Sequence, residues 1–193
     1  MERANILYDH YKDTISKQEM MIKTRNRFFV YLMIGTFAFC TWGMEPYNTF
    51  EQIMSMIEKE YKIRLGFQYF YGQTFLWIIY SYLLARYYQA VIYIERQYKY
   101  IEQLECNLSD DTQFENFNRE SKAYLRGYPW SLTVIHFFYN IIVPISILLS
   151  CWQRIYYEYI QPIPYIYFAF DALFALFASC IIINFIYFMR RTL

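Results

Sequence analysis

The sequence is poor in the residues from which most catalytic and metal sites are built. Its 193 residues include five glycines, four cysteines and two histidines. Because no C-x-x-C or H-x-x-x-H spacing occurs, we expect no metal site and no other cofactor. Phosphate-binding loops, nucleophile elbows and paired carboxylates at one depth are also missing, which predicts a protein without enzymatic activity or catalytic residues. Whether Cys40 and Cys151 form a disulfide is left open.

An excess of charge of one sign is missing too. Lysine and arginine together number 18 against 17 acidic residues, for a net charge of +1. Nucleic-acid binding usually requires a clear positive excess, so we expect no direct binding of nucleic acid. Apolar and aromatic residues are abundant instead: 57% of the chain is hydrophobic, with 23 tyrosines and 18 phenylalanines. Soluble domains have roughly 45–50%. The composition therefore predicts a protein in contact with the lipid bilayer.

Four stretches are long and apolar enough to cross a bilayer as helices, for which about 20 residues are needed and roughly 17 are the minimum. They are residues 28–44, 67–85, 131–152 and 165–189. The first follows a long polar segment and precedes no A-x-A-like cleavage site, so we interpret it as a retained signal anchor. The predicted fold class is all-α: a single membrane domain of four transmembrane helices with long cytoplasmic helical extensions.

The distribution of positive residues predicts the topology of these spans. Fourteen of the 18 lysines and arginines lie before the first span, between the second and third, or after the fourth. Positive residues are held on the cytoplasmic side, so both termini are predicted to be cytoplasmic. The outer loops are then residues 45–66, predicted to form a short amphipathic helix on the membrane surface, and residues 153–164, predicted to form an interfacial turn.

Two cytoplasmic segments lack glycine and proline and continue the first two spans as helices. Residues 3–27 and 86–108 would extend about 37 and 34 Å at 1.5 Å per residue. Their similar lengths predict an antiparallel stalk, followed by a cytoplasmic loop at 109–130. The apolar side chains that recur along one side of each helix form its candidate interface: Tyr8, Tyr11, Ile15, Ile22, Val91, Ile94, Tyr98 and Ile101. These stripes pack within one subunit or also against neighbouring subunits of a homo-oligomer.

Ionisable residues inside membrane spans are costly and mark candidate functional positions. Two occur: His136 near the inner side of the third span and Asp171 near the outer side of the fourth, too far apart in depth for a catalytic pair. Depth predicts two polar groups: His136 with Asn140 and Asn184, and Asp171 with Gln68, Gln73 and Thr74. Either group serves as hydrogen-bonding contacts between helices. Alternatively, Asp171 and the glutamines line a water-filled path between assembled subunits, with Pro144 as a kink or gate.

Two segments carry a family resemblance: "YDHYKDTISKQEMMIKTRNRFFVYL" (Tyr8–Leu32) and "FNRESKAYLRGYPW" (Phe117–Trp130). Together with the small size, the predicted spans and the basic amino-terminal helix, they resemble membrane effectors of bacterial anti-phage defence systems, such as retron and CBASS effectors. The resemblance implies a toxin-like, pore-forming subunit of the bacterial inner membrane, held inactive by a cytoplasmic protein or ribonucleoprotein regulator and oligomerising on release. It implies no functional residues.

Two other functions are compatible with the residues themselves. One is a non-catalytic membrane anchor or subunit that recruits a soluble partner complex. The other is a small transporter, which would be expected to contain an internal repeat. The two halves of the chain do not show one, because only the first pair of spans carries long extensions.

Overall fold

The computed structural model describes residues 2–44, 46–62, 66–112, 130–161 and 163–192. Within these ranges the chain is helical and contains no strand, which confirms the all-α prediction. The helices are α1 (Glu2–Met44), α2 (Pro46–Tyr61), α3 (Tyr69–Thr112), α4 (Trp130–Phe137), α5 (Val143–Ile160) and α6 (Tyr165–Thr192), with a π-helix at Phe138–Ile142 between α4 and α5. They form two compact units: unit 1 contains Met1–Phe29 and Tyr87–Phe138, and unit 2 contains Val30–Arg86 and Tyr139–Leu193.

The two longest helices reflect the absence of proline from their sequences. α1 has 43 residues and α3 has 44, and neither contains a proline that would remove a backbone donor and end the helix. α3 continues to Thr112, past the end at residue 108 that the apolar stripe predicts. Most of the predicted cytoplasmic loop at 109–130 lies outside the described residues.

In unit 1 the two long helices pair in antiparallel fashion. The Tyr11 hydroxyl donates a hydrogen bond of 2.9 Å to Oε1 of Glu105, and the rings of Phe29 and Tyr87 lie 5.7 Å apart. Phe29 lies 18 residues after Tyr11 in α1, whereas its partner Tyr87 lies 18 residues before Glu105, the partner of Tyr11, in α3. Since 18 residues are five helical turns, the contact stays on one face of each helix. The core between them contains Tyr11, Ile101, Leu104 and Leu108, against which Leu7 and Ile15 pack.

In unit 2 the remaining parts of α1 and α3 also pack together, through aromatic rings. Phe39 of α1 lies edge-on to Trp77, with ring centroids 4.6 Å apart, and stacks on Tyr80 at 4.8 Å. The Thr36 hydroxyl lies 3.1 Å from the Tyr80 hydroxyl, so the Tyr80 phenol also has a polar partner. Rings in these geometries contribute about 0.5–1.5 kcal/mol beyond their burial.

The last two helices form a hairpin against α3. α5 and α6 pack on each other across a connection of four residues, which requires them to be antiparallel. The Pro164 carbonyl accepts hydrogen bonds from the backbone N–H groups of Tyr167 and Phe168, which starts α6. Phe70 and Tyr167 lie 4.5 Å apart and Gln73 contacts Asp171 one turn further along both helices. α3 and α6 are therefore parallel.

The short helix α2 covers the region where α1 ends and α3 begins. Its buried Phe50 lies 6.1 Å from the Trp42 ring, and both rings approach Gly72 closely: a Cβ there would lie 3.2 Å from the Trp42 indole. α2 ends where Lys62 adopts a φ of 55°, and the Lys62 N–H bonds the Glu58 carbonyl at 2.9 Å. This is a left-handed helix cap on a residue other than glycine.

Two helical stretches are long and apolar enough to cross a bilayer: Phe138–Ile160, with 23 residues, and Tyr165–Arg190, with 26. The number rises to three when the bent pair Asn5–Trp42 and Tyr47–Tyr61 is counted as one span. By this criterion the prediction of four spans is not reached among the described residues. The third span also lies further along the chain than predicted, because the helix continues beyond residue 152 to Ile160.

The segment of α3 that corresponds to the predicted span 67–85 does not qualify by composition. Residues 67–85 include four tyrosines together with Gln68, Gln73, Thr74 and Ser81. Hydroxyl and amide groups are costly in hydrocarbon, so these side chains reduce the apolar character that the surrounding leucines and isoleucines provide.

Candidate functional site

A buried polar cluster in unit 2 is the main concentration of chemistry in the described chain. α3 contributes Gln73, Thr74 and Trp77, α5 contributes Arg154 and Glu158, and α6 contributes Asp171. We call these six residues the polar cluster. Arg154 and Glu158 are four residues apart, so both point to the same side of α5. Exposure is 4% for Arg154, 1% for Glu158 and 0% for Asp171, which shows that these charged groups are enclosed by protein.

One carboxylate oxygen of Glu158 accepts hydrogen bonds from two other members of the polar cluster. Nε of Arg154 donates a hydrogen bond of 2.9 Å to Oε1 of Glu158, and Nε1 of Trp77 donates one of 3.0 Å to the same oxygen. The guanidinium carbon also lies 5.8 Å from the centre of the Phe39 ring, within the range of a cation–π contact. A buried ion pair is tolerated when further hydrogen bonds support it, and these contacts provide that support on one side.

Asp171 is held more loosely than Glu158. Nε2 of Gln73 lies 3.5 Å from Oδ2 of Asp171, longer than an ordinary N–H···O hydrogen bond. The Thr74 hydroxyl and the Glu158 carboxyl are also neighbours of this carboxyl group, but neither Oγ1 of Thr74 nor Oδ1 of Asp171 completes a hydrogen bond. The three helices thus bring a second acid group next to the ion pair without a second base.

Four buried oxygen atoms of the polar cluster lack a hydrogen bond of ordinary length and angle to a donor among the described residues. They are Oε1 of Gln73, Oγ1 of Thr74, Oε2 of Glu158 and Oδ1 of Asp171. Buried polar groups in folded proteins are nearly always satisfied. Each exception costs about 1–3 kcal/mol, and more if the group is charged. Two of these atoms belong to the adjacent carboxyl groups of Glu158 and Asp171, and carboxyl oxygens so placed are suited to share a proton or a cation.

Part of the polar cluster corresponds to the group that depth in the bilayer predicts, which is Asp171 with Gln68, Gln73 and Thr74. The structure brings Asp171, Gln73 and Thr74 together. Gln68 lies elsewhere: it is exposed, precedes α3, and lines a crevice of about 650 Å³ between α2 and the start of α3. That crevice also contains two carboxylates, Glu51 and Glu58.

Arg154, Glu158 and Trp77 are members of the polar cluster that the sequence pattern does not single out. Residues 153–164 are predicted to be an outer loop, whereas the structure continues α5 through both charged positions to Ile160. Two signals point to this extension. No glycine or proline interrupts the chain between Pro144 and Pro162, and the spacing of the two opposite charges is that of a helical pair.

The second predicted polar group, His136 with Asn140 and Asn184, lies partly outside the described residues. Asn140 is half-buried in the π-helix, Asn184 is exposed on α6, and the side chain of His136 lies outside the described residues. Pro144 is buried near the start of α5, directly after the π-helix. Proline has no N–H to offer the carbonyl four residues earlier, which is that of Asn140, and a wider π-helical turn relieves this mismatch.

The predicted stalk residues separate into buried and exposed positions in unit 1. Tyr11, Val91, Ile94 and Ile101 are buried, and Ile15 and Ile22 are half-buried. Tyr8 and Tyr98 remain 50% and 41% exposed. The stripe as drawn from the sequence has a gap at Leu104, but the structure buries Leu104 and its neighbour Glu105 in the core.

Other candidate chemistry is sparse in the part of the chain that the structure describes. All four cysteines are free thiols, Cys40 exposed and Cys151 buried. No group of three or more histidine, cysteine, aspartate or glutamate side chains is placed to hold a metal ion among the described residues. The polar cluster therefore has carboxylate, amide and hydroxyl oxygens as its reactive atoms, which suit ion binding better than nucleophilic attack.

Comparisons with protein-family models, with curated proteins and with solved structures found no match for this chain.

Proposed function

We propose that the chain is a subunit of a membrane-permeabilising effector of the anti-phage defence type that its sequence resembles. The observation that carries this proposal is the polar cluster, which lies in the same unit as parts of both candidate spans. Charged side chains in membrane helices are expensive and usually mark an ion or proton pathway. A simple anchor would not need three of them at one position.

The proposal includes four membrane crossings. In unit 2, the segments of α1 and α3 accompany α5 and α6 through the bilayer of the bacterial inner membrane. The polar side chains of α3 that disfavour insertion, Gln73 and Thr74, contact α6 rather than lipid. Helices with such residues insert when neighbouring helices satisfy them. Both termini are cytoplasmic in this topology, as the lysine and arginine distribution favours.

Permeation is proposed to require assembly. The charged side chains of the polar cluster are at most 4% exposed, so a single subunit encloses them. Large apolar side chains on the outer sides of α5 and α6 remain uncovered, including Leu149 at 64% and Ile183 at 60% exposure. They are available to lipid or to another copy of the chain. Release by a cytoplasmic regulator bound to unit 1 would let subunits oligomerise, with α5 yielding at the π-helix before Pro144.

The test is ion leak through purified protein in liposomes of bacterial lipid. We expect wild-type protein to dissipate an imposed membrane potential, read with a voltage-sensitive dye, and Asp171→Asn to reduce the rate clearly, because it removes a charged side chain from the proposed pathway. Glu105→Gln is the matched control, because it neutralises a carboxyl that is equally buried but lies in unit 1. Unchanged leak in Asp171→Asn, with the protein correctly inserted, would remove the polar cluster from the pathway.

A non-catalytic anchor is the second candidate, and unit 1 favours it. Its helix pair exposes Ile6 at 66% and Met20 at 59% on the surface of α1, where a soluble partner complex would find apolar anchors. An anchor would retain its partner in pull-downs with the polar cluster neutralised and would produce no leak with any variant. Depolarisation of bacteria that express the chain with its neighbouring genes during infection would exclude it.

A further inference from the structure

We infer that the four unpartnered oxygens of the polar cluster form a binding site for a small monovalent metal cation, for which Na⁺ is the probe. This inference rests on the proposed function, since it identifies the ion that the buried site accepts. The inference is based on two carboxylate oxygens, one amide oxygen and one hydroxyl oxygen that lack a hydrogen-bond donor among the described residues. The side chains that carry them are enclosed by protein: Gln73 is 1% exposed and Asp171 is fully buried.

The contacts of the polar cluster place these oxygens on side chains that adjoin one another. Arg154 and Trp77 both donate to Oε1 of Glu158, which leaves Oε2 of the same group for another partner. The Gln73 amide already contacts Asp171 through its nitrogen, so its oxygen, bound to the same carbon, lies within a few ångströms of that carboxyl. Thr74 is its chain neighbour and also borders Asp171.

Charge selects a monovalent ion over a divalent one. Once both carboxyl groups have released their protons to admit a cation, Glu158 and Asp171 outnumber the single guanidinium of Arg154 by one negative charge. A monovalent cation brings this enclosed group to neutrality, whereas a divalent cation would leave a buried positive charge, which is costly. Carboxylate, amide and hydroxyl oxygens are the ligands that hard cations prefer, and the soft ligands that select transition metals are not part of the cluster.

The position of the site suits the first binding step of a permeation path. Asp171 is six residues into α6, and at 1.5 Å per residue it lies about 9 Å from the helix start. Glu158 is two residues from the end of α5. The bound cation would therefore sit near the end of the bundle that the short connection at 161–164 closes, not at its middle.

The experiment is thermal unfolding of the full-length protein in nanodiscs, with NaCl exchanged for choline chloride at constant total chloride. A cation that binds only the folded state raises the unfolding midpoint with its concentration. We expect the wild-type midpoint to rise with Na⁺ and to saturate. The Na⁺ concentration for half of the effect should increase about tenfold or more in Asp171→Asn, the usual effect of altering an ion's ligands. Glu105→Gln should respond as the wild type does.

A second variant protects the test against misfolding. If Asp171→Asn does not fold, Thr74→Val removes one oxygen with little change of shape and should still raise the half-effect concentration. Equal stabilisation by choline chloride would show a general salt effect and would overturn the inference. A response to pH but not to Na⁺ would identify a proton as the occupant and would also overturn it.

The liposome leak and the Na⁺ response fail independently. A Na⁺ response without leak would retain the cation site and remove the permeabilising function. Leak without a Na⁺ response would retain the function and remove the cation site.

Discussion

Replacing Arg154 by methionine is the most informative perturbation of the polar cluster. The substitution keeps most of the side-chain length but removes the guanidinium that donates to Oε1 of Glu158 at 2.9 Å. Glu158 and Asp171 then remain enclosed without a positive partner among the described residues. Breaking a buried ion pair by removing one partner typically costs about 3–5 kcal/mol. We expect a loss of that size in the free energy of unfolding.

Glu158→Gln should behave differently and should rescue Arg154→Met. Glutamine keeps an acceptor for Trp77 and for Arg154, and the remaining guanidinium then balances Asp171. We therefore expect the single change to cost less than about 1.5 kcal/mol, the net contribution of an ordinary hydrogen bond. In the glutamine background, Arg154→Met leaves Asp171 as the one acidic group of the polar cluster, and a single enclosed carboxyl group without a cation takes up a proton instead of remaining charged, so this change should cost only about 1–2 kcal/mol. The expected coupling between the two sites is about 2–3 kcal/mol.

The assay is reversible unfolding of the four proteins of this double-mutant cycle in the same detergent and at one fixed NaCl concentration. Circular dichroism and Trp fluorescence should report one transition, so that the free energies are comparable. Two results would refute the reasoning: a cost below about 1 kcal/mol for Arg154→Met alone, or equal costs in the glutamate and glutamine backgrounds, which would mean that the pair is not energetically coupled.

Three further predictions concern helix packing and helix ends. Gly35→Ala should raise the unfolding midpoint, because alanine favours helix by about 1 kcal/mol and its methyl group would lie an ordinary 3.5 Å from its nearest neighbour. Gly72→Ala should not raise the midpoint, since its Cβ would lie 3.2 Å from an indole. Equal shifts of the midpoint in the two variants would contradict this packing. Lys62→Gly should stabilise the protein by roughly 0.5–1 kcal/mol by relieving the left-handed φ of 55°, whereas Lys62→Ala, which retains a Cβ, should not in the same thermal scan. Tyr11→Phe should destabilise by about 1–3 kcal/mol, measured by chemical denaturation, because the buried Glu105 loses its phenol donor; an unchanged stability would show that this bond is replaced.

Local sequence features account well for the helices themselves. The absence of proline from residues 2–44 and 69–112 allows α1 and α3 to extend over more than forty residues. Spacing of apolar residues in the first predicted outer loop indicates α2, and the prolines at 162 and 164 mark where the α5–α6 connection lies. Depth within the predicted spans also places Asp171 beside Gln73 and Thr74, because helix rise converts position in the chain directly into distance.

Burial along these helices could not be derived in the same way. Apolar periodicity identifies Tyr8 and Tyr98 as interface residues, yet both remain exposed, while Glu105 is fully buried. A periodic pattern shows which side of a helix is apolar, but it does not say how the partner helix is rotated or which polar residue receives a partner inside the contact. Glu105 is buried because the phenol of Tyr11, 94 residues away, supplies its hydrogen bond.

By itself, then, the sequence determined an all-helical chain with at least two stretches apolar enough for a membrane, because helix breakers and hydropathy act on neighbouring residues. Tertiary structure alone decided that Arg154 and Glu158 join Asp171 in one enclosed cluster. The deciding contacts connect Trp77 to Glu158 and Gln73 to Asp171, pairs separated by 81 and 98 residues. A buried charge is stable only where such distant partners converge on it, and that convergence depends on how the helices pack and not on any local pattern.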